Sequence, residues 1–219
     1  MDLTDLNRFG AARLPNLLTS DQCADLVERW STADGLGEEV VQPRDSWGGG
    51  SYRMFNLPLP DFMADLQDEL YPRIAEILNG WAAQLGEKPK FPERYAELLI
   101  QRGPGRRTGP TPVLTVRETG DWNVMHRDPA HAFPLQVAIL LSESEIDFTG
   151  GHFVLNEQWA HMSSMQARPE IVPLCKGDAV IFPVHERVAI GADGPQRVGM
   201  YHGMTRLLSG KRYMLGLLF

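Results

Sequence analysis

Cysteine is almost missing. The 219 residues hold two, Cys23 and Cys175, far apart and without a CxxC partner. A disulfide framework and a cysteine-rich zinc site are both excluded. Lysine is nearly as scarce, with four against 17 arginines, and the net charge is −7. That balance argues against a non-specific nucleic-acid binder, which carries a basic surface. No apolar run approaches the roughly 18 residues of a membrane span. The opening MDLTDLNRFG has neither the basic nor the apolar region of a signal peptide. No repeat or low-complexity stretch is visible. A reduced, cytoplasmic setting with no membrane partner is therefore expected, and nothing in the letters sets the oligomeric state.

What is present suffices for a core: 43% of residues are apolar and 9% aromatic. The length suits one domain spanning 1–219, with a helical part with irregular loops over 1–110 and a β-rich core over 111–219. Thr19 and Gln22 form a capping-box pattern. Cys23, Leu26, Val27 and Trp30 then recur at helical spacing. Residues 33–58 are glycine-rich and show no period. A second helix is predicted from Pro60–Asp61, broken at Pro72 and restarting with Ile74, Ile77, Leu78, Trp81 and Leu85. A short third helix covers 92–101. Beyond the GPGRRTGPTP loop the chain reads as strands: VLTVRE, HAFPLQVAILL, HFVLNEQ, EIVPL, DAVIFPV, RVGMYHGMTRL and KRYMLGLLF, separated by TGD, TGG, KGD, ADGP and SGK turns. Many short strands at such spacing predict a sandwich or barrel.

Chemistry concentrates at His126-Arg127-Asp128. In an extended segment residues i and i+2 project to one side, so both side chains can reach one ion. His202 is the downstream candidate for a second imidazole. Two histidines and one carboxylate form the facial triad suited to Fe(II). Arg212 follows ten residues later, across Ser209-Gly210. If that pair is a turn, His202 and Arg212 lie on neighbouring antiparallel strands of one sheet, where the guanidinium can grip a carboxylate bidentately. His185 is the rival third ligand, but Gln196 and Arg197 fall at its +11 and +12 positions across a Gly/Pro-rich turn. His131, His152 and His161 read as surface or strand histidines. Met125, Met162, Met165, Met200 and Met204 read as core or pocket lining. Arg102, Arg106 and Arg107 form either a solvated loop or a clamp for an anionic substrate.

These residues carry a resemblance. The span 113–219 resembles the iron(II)/2-oxoglutarate-dependent dioxygenases of the prolyl-4-hydroxylase-like branch. The matching pieces are HRD (126–128), TGGHF (149–153), KGDAVIF (176–182) and YHGMTRLLSGKRY (201–213). From about residue 8 the chain also resembles a family of bacterial oxygenases to which oxidative dealkylation of damaged nucleic acid is ascribed. Its marks are PTPVLTVRETGDWNVMHRD, FPLQVAILLSE and DFTGGHFVLNEQ. The resemblance implies a mainly β fold, a double-stranded β-helix (jelly-roll, cupin-like) core braced by N-terminal helices. It implies Fe(II), 2-oxoglutarate as co-substrate and O2. His126, Asp128 and His202 match the iron ligands, and Arg212 matches the residue that holds the distal carboxylate of 2-oxoglutarate. Gln136, sharing a strand face with Ala138 and Leu140, matches a polar residue beside the co-substrate. Trp122 and Asn123 fall where they could line the pocket mouth. Two positions depart from the pattern: Arg117 stands where a co-substrate-contacting tyrosine is common, and His152 follows the Gly-Gly pair where glutamate is common. Arg206 is a further candidate for the substrate pocket. The implied reaction hydroxylates a C–H bond of a small molecule with release of succinate and CO2. Dealkylation of nucleic acid is the alternative, and a non-catalytic ligand-binding barrel the second alternative.

Overall fold

The computed structural model describes residues 3–103, 111–130, 132–159 and 167–219. In chain order the first half contains α1 (Thr4–Phe9), β1 (Ala12–Leu14), α2 (Ser20–Thr32), β2 (Val40–Val41), α3 (Arg44–Trp47), β3 (Ser51–Met54), α4 (Asp61–Gln84) and α5 (Tyr95–Gln101). The second half contains β4 (Val113–Glu118), β5 (Asn123–His126), β6 (Leu135–Leu140), β7 (Phe148–Gly150), β8 (Phe153–Gln158) and β9 (Arg168–Val172). It closes with β10 (Ala179–Pro183), β11 (Glu186–Gly191), β12 (Gly194–Met204) and β13 (Leu207–Leu217).

The predicted capping box starts α2. Gln22 N donates to Thr19 Oγ1 at 3.2 Å and Thr19 N to Gln22 Oε1 at 2.9 Å, so two backbone donors that the helix cannot satisfy find partners. Pro72 does not interrupt the second helix as expected: α4 is a single helix running through it. A proline inside a helix costs roughly 3 kcal/mol. Leu70, Tyr71, Ile74 and Leu78, two residues before it to six after, are all buried against the sheet. Each such side chain contributes roughly 1.5–3 kcal/mol on burial, so together they outweigh the proline.

The strands form two antiparallel sheets of the jelly-roll type. The larger has the order β1-β10-β6-β13-β4-β3-β2, with β7 also on β13. The smaller is β11-β12-β8-β9, with β5 on β12. One face of the larger sheet presents Val137, Ile139, Leu215 and Leu217 to α2, α4 and α5. Its other face presents Val180 and Phe182 to Phe153, Leu155 and Met200 of the smaller sheet. Leu140, Phe148, Leu207 and Met214 extend that interior. Arg212, Met214 and Gly216 alternate with the helix-facing residues of β13 and therefore point inward, as do Gln136 and Ala138 on β6.

His202 and Arg212 do not share a sheet. β12 belongs to the smaller sheet and β13 to the larger, and Thr205–Arg206 carries the chain between them. Ser209-Gly210 lies inside β13, directly after a register shift between Leu207 and Ser209 where that strand pairs with β7. Gly210 has φ +81, and a Cβ there would stand 2.0 Å from the Asp147 carbonyl oxygen. The pair that reads as a turn is continuous strand just past a bulge at Leu208. Residues 33–58 also gain structure that their letters conceal: β3 and β2 extend the larger sheet beyond β4, with α3 between them in the chain. Met125 is exposed rather than core, whereas Met200 and Met204 are buried. Both cysteines are free thiols. Among the described residues no helix is long and apolar enough to cross a membrane.

Candidate active site

β5 and β12 pair with His126 directly opposite His202. Their imidazole centroids are 4.2 Å apart. Asp128 lies two residues beyond His126, and its amide donates to Val184 O at 2.8 Å, which turns the chain inward. Asp128 Oδ1 stands 3.7 Å from Nε2 of each histidine. One donor atom from each of the three residues falls within 4.8 Å of the others. The spacing suits one ion in contact with all three.

The donor chemistry fits such an ion. His126 Nδ1 lies 2.8 Å from Val124 O, and a carbonyl only accepts, so Nδ1 carries the proton and Nε2 keeps its lone pair. His202 is buried, and burial, reinforced by His126, pushes its pKa down to about 3, so the ring is neutral. Its Nδ1 is a buried polar atom without a partner among the described residues. Gln136 Nε2 donates to Asp128 Oδ2 at 2.6 Å, which occupies one carboxylate oxygen and leaves Oδ1 for a metal. Burial raises the Asp128 pKa, against the lowering influence of His126, the Gln136 hydrogen bond and His185. A cation is what would relieve that strain. Phe182 sits 5.1 Å from the His202 ring and 4.8 Å from Phe153, forming a dry wall on one side.

Arg212 is buried in the interior, and its Nε has no partner among the described residues. No carboxylate pairs with it among those residues. Burial, then repulsion from Arg117, pushes its pKa down to about 9. A guanidinium this isolated from water calls for an anion. Arg117 is its register partner on β4 and shares the inward face. The two lean apart: Arg212 toward the Phe148 ring, 5.8 Å away, and Arg117 toward Gln42 Oε1 and the Val116 carbonyl oxygen.

The other sequence candidates scatter. Asn123 is half-buried opposite Met204, and Trp122 packs against Gly48. His152 is exposed, with its backbone tied to Thr205. Arg206 is exposed as well. His185 lies outside the cluster; its Nδ1 donates to Asp128 O at 2.8 Å and so steadies the ligand's backbone. It also lines a cavity of about 510 Å³ bounded by α4, α5, Ala130 and residues 132–134. Arg102 donates to Phe219 O at 2.8 Å. Arg106, Arg107, His131, His161, Met162 and Met165 lie outside the described residues. One residue escaped the sequence reading. Trp47, at the end of α3, places its ring 5.4 Å from that of His126 at 83°. The only signal was the Gly48-Gly49-Gly50 run after it, which marks a sharply folded backbone.

Comparison with known proteins agrees with this geometry. A family model described as "Oxygenase, catalysing oxidative methylation of damaged DNA" matches residues 50–219. Two uncharacterised proteins of Mycobacterium tuberculosis strains are each 33% identical over 168 residues, covering 76% of this chain and 71% of theirs. A prolyl-4-hydroxylase from Pseudomonas putida has the same fold with TM-score 0.54 at 14% identity, over 98% of this chain and 95% of its own. A Burkholderia pseudomallei oxidoreductase of the 2OG-Fe(II) oxygenase family gives 0.54 at 15%, over 97% and 86%. A Trichoplax adhaerens prolyl hydroxylase, solved with a peptide of the hypoxia-inducible factor oxygen degradation domain, gives 0.55 at 13%, over 98% and 85%.

Proposed function

The chain belongs to the oxygenase family described as catalysing oxidative methylation of damaged DNA and is a 2OG-Fe(II) oxygenase; from that premise we propose that His126, Asp128 and His202 hold the iron and Arg212 receives the distal carboxylate of 2-oxoglutarate. The observation that carries the reading is the convergence of those three donors inside the same jelly roll that buries the Arg212 guanidinium with no carboxylate on it among the described residues. Fe(II), 2-oxoglutarate and O2 together supply hydroxylation of a C–H bond, with 2-oxoglutarate leaving as succinate and CO2.

The protein's own contribution is positional. His126 is fixed in the tautomer that ligates through Nε2 by its bond to Val124. Gln136 restrains Asp128 to one free oxygen. Arg212 supplies charge at the far end of a dicarboxylate, where bidentate pairing also sets its direction. Phe182 and Phe153 exclude water from the His202 side. Where the hydroxylated carbon is an N-methyl group, the product is an N-hydroxymethyl compound. It breaks its N–C bond to release formaldehyde and returns the proton to nitrogen.

A small-molecule substrate is supported by the net charge of −7. An alkylated base in nucleic acid is supported by the family's description. The reaction class is tested by incubating purified protein with Fe(II), 2-oxoglutarate and O2. Succinate formation by the wild type and its loss in His126→Ala support the assignment; succinate formation unaffected by His126→Ala refutes it. Formaldehyde released from a methylated oligonucleotide, but not from unmethylated DNA, supports the nucleic-acid substrate.

A further inference from the structure

Trp47 is 41% exposed, yet its ring lies edge to face with a ligand of the proposed iron site. The segment that carries it is tightly built. Gly48, Gly49 and Gly50 all have positive φ, between +81 and +87. A Cβ on them would stand 2.2 Å from the Trp122 carbonyl oxygen, 2.5 Å from the Asp121 carboxylate and 2.4 Å from Arg117 Cδ, respectively. Trp122 N donates to Gly48 O at 3.0 Å and Gln42 N to Gly50 O at 2.9 Å. Arg44, one turn before Trp47, pairs with the buried Asp121 at 2.5 Å. These contacts press the backbone onto the β4–β5 connection and leave the indole at the rim. The indole therefore stays half-exposed beside His126, where an arriving ring can reach it.

We propose that Trp47 is the wall on which the substrate ring stacks, and that this ring is an N-alkylated nucleobase. The proposal rests on the iron-site reading above. A flat indole gives a flat π-system both area and orientation, whereas a flexible aliphatic substrate gains area alone. Stacking of a base on an aromatic side chain is worth about 1–3 kcal/mol, independent of base identity. It suits a chain of net charge −7, which is poorly equipped to bind through phosphates. The residue also lies outside the matched span, which begins at residue 50, so the family match does not assign it.

The test compares wild type, Trp47→Phe and Trp47→Ala, each loaded with redox-inactive Mn(II) and 2-oxoglutarate. The probes are 1-methyladenosine, read by calorimetry, and a single-stranded oligothymidine with one central 1-methyladenine, read by fluorescence anisotropy. The expected result is that the wild type binds at least one probe, Trp47→Phe stays within about threefold, and Trp47→Ala weakens at least about tenfold. Mn(II) and 2-oxoglutarate affinities should be the same in all three proteins. Binding of the nucleoside alone assigns a free metabolite; binding of the oligonucleotide alone assigns nucleic acid. Equal probe binding by Trp47→Ala overturns the proposal. So does a wild type that takes Mn(II) and 2-oxoglutarate but neither probe, and in that case the iron site stands. A wild type that fails to take Mn(II) removes the iron site and this proposal together.

Discussion

Replacing Arg212 with methionine should make the unliganded protein more stable while removing its response to 2-oxoglutarate. Arg212 is 5% exposed and has no carboxylate partner among the described residues. A guanidinium whose pKa falls from 12.5 to about 9 carries on the order of 5 kcal/mol of burial and repulsion at neutral pH. The sign follows from its depressed pKa. The penalty is complete below about pH 9, where both folded and unfolded chains are protonated, and it fades between about 9 and 12.5 as the folded state loses the proton first. Methionine keeps most of the apolar stem, so part of that penalty returns as stability, about 1–4 kcal/mol by analogy with buried charges replaced by apolar residues. At roughly 2–4 °C per kcal/mol for a chain of this length, the melting temperature should rise by several degrees. In the presence of Mn(II), 2-oxoglutarate at a hundred times its Kd should stabilise the wild type by about 2.7 kcal/mol and the variant hardly at all. Differential scanning calorimetry with and without the dicarboxylate reads both effects. An unliganded variant less stable than wild type, or one that 2-oxoglutarate stabilises as well as wild type, would refute the reasoning.

Gln136→Leu removes the donor that holds Asp128 Oδ2 and should weaken Mn(II) binding about 10–100-fold with the fold intact, as an anaerobic titration will show. Unchanged affinity contradicts the role given to Gln136. Glu157→Gln breaks the buried pair with Arg187, whose Nε and Nη2 lie 2.8 and 2.5 Å from Glu157 Oε2. It should cost about 3–5 kcal/mol at pH 7 in urea unfolding. Despite burial, which raises it, Arg187 holds the Glu157 pKa below its ordinary 4.5. The pair's contribution is therefore present above pH 4.5 and disappears as pH falls through the lower folded value, so wild type and variant should converge in acid. Gly50→Ala places a methyl against Arg117 and the Val116 carbonyl at positive φ. It should cost at least about 1–2 kcal/mol for the backbone conformation alone, and equal urea midpoints would contradict the strain.

The β half was readable because turn-bounded apolar runs with period two survive in single letters. β4, β8, β10 and β12 fall on VLTVRE, HFVLNEQ, DAVIFPV and RVGMYHGMTRL. The metal residues were readable because their types are chemically restrictive. Elements decided by distant partners were not. α4 passes through Pro72 on account of a sheet face assembled from β6 and β13. β2 and β3 are two and four residues long and exist through pairing with β4, so no periodicity could announce them. His202 and Arg212 fall on opposite sheets because the chain changes sheets at Thr205–Arg206, ahead of the Ser209-Gly210 pair, whose letters could equally have closed a hairpin. Trp47 reaches His126 through left-handed glycines and an ion pair 77 residues apart in sequence, and neither leaves a local pattern.

The central claim is that one ion joins positions 126, 128 and 202. An anaerobic crystal structure with Fe(II) tests it most directly. The metal is expected to bond Nε2 of His126, Nε2 of His202 and Oδ1 of Asp128, with Gln136 still on Oδ2. Iron bound elsewhere, or His202 turned away from it, contradicts the account.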